Sequence, residues 1–367
     1  MAKKKVVVGM SGGVDSSVAA YLLKEQGYEV TGVTMRLWQE DAEREASGQE
    51  CCSLGAVEDA RRVCAKLDIP FYVMNFADDF KRSVVDYFVE EYIKGRTPNP
   101  CIACNRYVKW ESLLRRAMEI GADCIATGHY ARIVKRDNGR FAVAASKTAR
   151  KDQTYALYSL TQEQLSRTRM PVGEYTKDEI RALAEKIGLT VAAKPDSQEI
   201  CFIPDHDHGA FIERIAGEKA PGSGNFVTAD GEILGRHKGI THYTIGQRKG
   251  LNLAMGYPVF VSQIRPDTNE VVIGGPNDVF AKEFIAQNVQ YMGVPGIEPG
   301  SRFPVKIRYG HKGAAAALYP QGEGLVRFVF DEPQRAITPG QAAVFYDGEC
   351  VAGGGVICSC NFAGDVI

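Results

Sequence analysis

The chain has 367 residues, a formal net charge of −1, 45% hydrophobic residues and ten cysteines. That length predicts two to three domains, and the near-neutral charge excludes binding nucleic acid by overall basicity, leaving only local basic patches for it. No apolar run reaches the roughly 20 residues of a membrane span. Met-Ala-Lys-Lys-Lys leads directly into a predicted strand, so no signal peptide and a reducing cytoplasmic setting are expected. In that setting cysteines act as thiols, metal ligands or catalytic groups rather than as structural cross-links.

From the start to about residue 130 the pattern alternates strand and helix, which predicts a doubly wound parallel α/β sheet with ligands at the carboxyl ends of its strands. Strands are predicted over Val6–Met10, Val30–Met35, Phe71–Asn75 and Cys124–Thr127, and helices over Ser16–Gln26, Leu54–Leu67, Asp78–Lys94 and Lys109–Ile120. Between the first strand and the first helix lies Gly9-Met10-Ser11-Gly12-Gly13-Val14-Asp15-Ser16-Ser17. Its glycines permit a sharp turn and a close backbone approach. Its serines add hydroxyls to the free N–H groups and positive dipole end of the helix. Together these form a phosphate or pyrophosphate cradle. No Gly-Lys-Ser/Thr follows, so it is not a Walker A loop, and Gly-x-Gly-x-x-Gly is absent.

Trp38–Ser53 is polar and aperiodic and reads as a mobile loop. Two prolines mark Gly95–Asn105 as a rigid loop presenting Cys101-x-x-Cys104, a pair suited to a redox dithiol, half a zinc site or part of a cluster site. Arg132–Lys135 and Phe141–Ala145, joined through Asp137-Asn138-Gly139, read as a hairpin. Thr176–Glu179 is a capping box opening a helix that Gly188 ends. Cys201, taken alone, is as compatible with core packing as with reactivity. Beyond about residue 205, short alternating strands between Gly- and Pro-rich turns predict two small β-domains, the second a barrel. Cys358-Ser359-Cys360 reads as an exposed, dispensable end.

Six motifs, in this order, resemble the bacterial tRNA-specific 2-thiouridylases. They are the Ser-Gly-Gly-Val-Asp-Ser-Ser loop, Gly95–Asn105, Ala126–Arg132, Lys151–Tyr155, Ser197–Phe202 and Tyr243–Gly250. The resemblance covers nearly the whole chain. It implies an ATP-pyrophosphatase catalytic domain over 1–205, a small central β-rich domain over 206–280 and a C-terminal tRNA-binding β-barrel over 281–367. It implies ATP with Mg, adenylation of the wobble uridine O2 in tRNAs for Lys, Glu and Gln, and sulfur delivery to C2 from a persulfide on Cys201. Cys104 matches the second catalytic cysteine, placed to release sulfur or to close a disulfide with Cys201. Gly9, Met10, Ser11, Gly12, Gly13, Val14, Asp15 and Ser16 match the phosphate contacts, and Met35 and Gly128 the adenosine contacts. Asn99, Pro100 and Cys101 match the target-base contact. His129, Lys151, Asp152, Gln153, Arg308, Tyr309 and Gln341 match tRNA contacts.

Some members carry Asp where this chain has Cys101, which removes a candidate general base. The three thiols of Cys101, Cys104 and Cys201 open a second route through a [4Fe–4S] cluster; the persulfide route is preferred. The implied partners are tRNA and a persulfide-carrying sulfur donor, with no membrane and a monomeric state. Two other readings are an amidating or ligating ATP-pyrophosphatase and a non-catalytic RNA binder. The reactive cysteines speak against the first, and intact Asp15, Ser16 and Cys104 against the second.

Overall fold

The computed structural model describes residues 3–37, 54–148, 152–194, 200–203 and 205–362. The loop expected over Trp38–Ser53, and the motif residues Lys151 and Ser197, therefore lie outside the described residues. The chain divides into two compact units. The first comprises 1–85, 100–206 and 348–351, the second 86–99, 207–347 and 352–367.

The first unit is built on a five-stranded sheet. Its strands are β1 (Lys5–Gly9), β2 (Glu29–Arg36), β3 (Phe71–Asn75), β4 (Cys124–Ala126) and, beyond a hairpin of β5 (Ala131–Lys135) and β6 (Phe141–Ala145), β7 (Thr168–Arg169). The order β3-β2-β1-β4-β7 is parallel at every pairing. Val6, Val7 and Val8 are at most 1% exposed, as a central strand covered on both faces requires. The strand order reverses at β1, so the crevice beyond β1 and β4 is the switch point where ligands bind in such sheets. β7 has two residues, too few for any periodicity to announce a strand.

The Cys-x-x-Cys segment departs from expectation: it is helical rather than a loop. The helical run starts at Pro100 and continues through Pro100–Ala103, Cys104–Leu113 and Leu114–Glu119. A proline is tolerated in a first helical turn, where its missing N–H would have no partner anyway. Cys104–Leu113 is wound as a π-helix, a form that recurs at functional sites.

The second unit holds two β-structures. A four-stranded sheet orders Phe260–Arg265, Glu270–Gly274, Gly224–Val227 and Ile233–His237. Its first strand starts only after Pro258, which can donate nothing to a ladder. Six antiparallel strands then close a barrel, because Phe280–Tyr291 pairs with both Leu325–Arg335 and Cys350–Phe362. Phe284 and Phe328 stack inside it, ring centroids 4.7 Å apart. The tail also departs from expectation. Cys358 and Cys360 belong to a barrel strand, and their thiols donate to the carbonyls of Ile285 and Ile337. Gly353, Gly354 and Gly355 hide that strand in the sequence, since they carry no side chain to show a period.

Candidate active site

The phosphate loop links β1 to the helix α1 (Val14–Glu25). Gly12 has φ +70°, and a Cβ there would lie 2.3 Å from the Ala56 carbonyl oxygen. The N-cap is Gly13, which has no side chain to cap the first N–H groups of α1, as a phosphate cradle requires. Hydroxyls hold the loop in shape. Ser11 N–H donates to Ser16 Oγ at 3.2 Å, while Ser16 and Ser17 donate to the Gly13 carbonyl at 3.2 and 2.8 Å. Val14 is buried in the core beneath.

Gly9, Met10, Ser11, Asp15 and Ser16 face a cavity of about 320 Å³. Its other walls come from Met35 at the end of β2, from Thr127, Gly128 and His129 after β4, and from Gln153. Pro100, Cys101, Cys104 and Lys109 of the 100–119 helical run form a further wall, and Ile200, Cys201 and Phe202 another. The two cysteines singled out in sequence thus face one space although 97 positions separate them. Cys104 is buried, Cys101 exposed and Cys201 half-buried.

The cysteine helix is pinned from behind. Trp110, 1% exposed, donates its indole N–H to Thr168 Oγ1 at 2.8 Å, and Asn105 donates to the Ala156 carbonyl at 2.9 Å. The Cys201 segment is anchored by buried Phe202, whose ring meets that of Phe80 edge-on with centroids 5.6 Å apart. Gly128 approaches the phosphate loop so closely that a Cβ would sit 2.6 Å from the Ser16 nitrogen. His129 Nδ1 lies 2.7 Å from Thr127 Oγ1. Burial, and then the nearby Lys109 charge, hold its imidazole well below the ordinary histidine range, so it is neutral at neutral pH.

Sequence reasoning missed the partners of Asp15. Lys177 Nζ sits 2.7 and 2.9 Å from its two carboxylate oxygens, and Tyr130 donates its hydroxyl to Oδ1 at 2.8 Å. A signal existed: Lys177 opens its helix, Lys177–Lys186, where a cation opposes the helix dipole and needs another reason to be. Lys194 was also missed; it donates to the Gly12 carbonyl at 3.2 Å and pairs with Asp59 at 2.8 Å.

Other expected contacts are not among the lining residues of this cavity. Asp152 accepts from the Thr154 hydroxyl at 2.7 Å. Asn99, Arg308, Tyr309 and Gln341 belong to the second unit. There Arg308 donates to the Arg335 carbonyl at 2.8 Å, Gln341 donates to the Thr97 carbonyl at 2.8 Å, and Tyr309 is exposed.

A parallel sheet opening at its switch point onto a serine- and glycine-built pyrophosphate cradle defines an enzyme domain of the ATP-pyrophosphatase class. Residues 4–205 match the model of the tRNA methyl transferase HUP domain, 209–275 that of the tRNA methyl transferase PRC-barrel domain, and 281–357 that of the aminomethyltransferase beta-barrel domain. A tRNA-specific 2-thiouridylase MnmA of Lachnoclostridium phytofermentans is 62% identical over 355 residues, covering 96% of this chain and 99% of that protein. Those of Clostridium perfringens and Acetivibrio thermocellus are 59% and 56% identical, each over 97% of this chain and 99% and 100% of their own. The chain belongs to the tRNA-specific 2-thiouridylase family.

Proposed function

We propose that this protein is an ATP-dependent tRNA-uridine 2-sulfurtransferase that thiolates the wobble uridine of tRNAs for Lys, Glu and Gln. The observation that carries the reading is the meeting of Cys104, Cys201 and the Ser11–Ser16 loop on one cavity. Uridine O2 attacks the α-phosphorus of ATP, which enters as its Mg complex. The bond to the bridging oxygen breaks, pyrophosphate leaves with the electron pair, and N3 gives its proton to solvent. C2 is now electrophilic, because AMP is a good leaving group where an oxide is not. The terminal sulfur of a Cys201 persulfide attacks C2 and AMP departs. The Cys104 thiolate then attacks Cys201 Sγ. That breaks the S–S bond, leaves sulfur on C2, and closes a Cys104–Cys201 disulfide for a thiol reductant to reopen. N3 regains a proton from solvent.

The iron–sulfur route has less support. Among the described residues no group of three or more His, Cys, Asp or Glu is gathered as a metal-binding set, so no step is routed through a cluster. A methyl transfer, the activity in the names of two of the matching domain families, would call for no pyrophosphate cradle. The persulfide comes from a donor protein, and the enzyme acts as a cytoplasmic monomer. Catalysis takes place in domain 1–205, with 206–280 as the central β-rich domain and 281–367 as the tRNA-binding barrel. Incubation with ATP, a persulfide-charged donor and unmodified tRNA tests the proposal by mass spectrometry of the nucleosides. Absence of 2-thiouridine would refute it.

Two further outcomes are expected. Asp15→Ala removes the carboxylate clamped by Lys177 and Tyr130, and Ser16→Ala removes the acceptor of the Ser11 N–H. Each variant should thiolate more slowly at limiting ATP, and full activity in either would contradict the role given to this loop. Binding of tRNA, resting on local cations such as Lys151 and Arg308, should weaken steadily as salt rises, because phosphate contacts release counterions. A filter-binding series across salt concentrations checks this, and a flat series would count against those contacts.

A further inference from the structure

The cavity has one feature that the reaction needs and no family motif named above supplies. Adenylyl transfer builds negative charge on the α-phosphate oxygens, and such charge is stabilised by a preorganised cation. The phosphate loop contains no lysine. Lys177 is taken up by both oxygens of Asp15. Among the described residues lining the cavity, Lys109 is the only Lys or Arg, and Asp15 the only carboxylate.

Lys109 is half-buried and held in place. Its Nζ donates to Asn105 Oδ1 at 2.7 Å, and the Asn105 amide is itself fixed on the Ala156 carbonyl. An ammonium carries three donors, and among the described residues Asn105 alone takes one, which leaves two for a ligand. The π-winding places Cys104 and Lys109, one π-turn apart, on the same cavity wall. His129 lines the same cavity, and burial first, then the Lys109 charge, hold its imidazole below the ordinary histidine range.

We propose that Lys109 is a catalytic residue of the adenylation half-reaction, binding the α-phosphate of ATP and stabilising its charge as uridine O2 adds and pyrophosphate leaves. Lys109 acts through its charge and exchanges no atom with substrate. This rests on the sulfurtransferase reading, and the test separates the two.

The experiment is tRNA-dependent ATP–pyrophosphate exchange by the wild type, Lys109→Gln and Lys109→Arg. Glutamine keeps a donor for Asn105 without the charge, and arginine keeps the charge. Binding of tRNA and the thermal midpoint are measured on each. Lys109→Gln should lose about 100-fold in exchange, the scale of one oxyanion-stabilising donor. Lys109→Arg should recover most of it, with tRNA binding and thermal midpoint unchanged in both. Normal exchange in Lys109→Gln, even with thiolation lost, would overturn the proposal and leave Lys109 serving the thiols only. Loss of exchange accompanied by equal loss of tRNA binding or folding in both variants would also overturn it, as a structural role. No tRNA-dependent exchange in the wild type would instead bring down the sulfurtransferase reading beneath it.

Discussion

Replacing Cys201 by serine should abolish 2-thiouridine formation while ATP and tRNA binding persist. Serine keeps the size but cannot carry a persulfide. Adenylation uses no sulfur atom, so tRNA-dependent pyrophosphate exchange should continue. Cys104→Ser should stop release of product, because the step that breaks the persulfide bond needs a thiolate. On this route tRNA should stay attached to Cys201 of that variant through the transferred sulfur, and a reductant should free it. Cys101→Ser separates the routes. Cys101 carries no sulfur in the persulfide scheme, so substantial activity should remain, whereas a three-cysteine cluster would lose a ligand and all activity. Single-turnover thiolation of the three variants, with and without oxygen, reads these outcomes. Full activity in Cys201→Ser would sink the scheme.

How far this can be foreseen differs between the parts of the site. The phosphate loop is legible because a run of three valines, two glycines and an apolar helical face fall in consecutive positions, and each follows from local physics. The parallel sheet and barrel are legible from periodicity for the same reason. The cysteine helix is concealed because Pro98 and Pro100 read as helix breakers, while Pro100 in fact starts the helix. The clamp on Asp15 is invisible for a different reason. Lys177 stands 162 positions away, and no local rule reports a contact of that range. The common cavity of Cys104 and Cys201 is equally non-local and comes only from the family resemblance. Lys109 reads as one more solvated helix cation until its neighbours in the cavity are known.

The same non-local closeness makes Gly128 the residue where one methyl group should do most harm. Gly128 follows β4, and its backbone runs beside the first turn of α1. A Cβ there would lie 2.6 Å from the Ser16 nitrogen and 2.7 Å from the Asp15 carbonyl carbon, so backbone must move on one side or the other. Neither side yields easily. The β4 side is held in the parallel sheet by the pairing of Val8 with Ala126. The α1 side carries the Asp15 clamp and the Ser11–Ser16 hydrogen bonds. The displacement therefore falls on the N–H groups proposed to receive phosphate. A misplacement of about 1 Å can cost on the order of 100-fold in rate. Gly128→Ala should accordingly reduce pyrophosphate exchange by about that factor. Gly296→Ala, in the second unit with nothing within 4 Å of its new methyl, is the matched control and should keep normal exchange. Binding of tRNA should survive in both. If Gly128→Ala exchanges pyrophosphate at the wild-type rate, the closeness of this turn to the phosphate loop has no bearing on how ATP is placed.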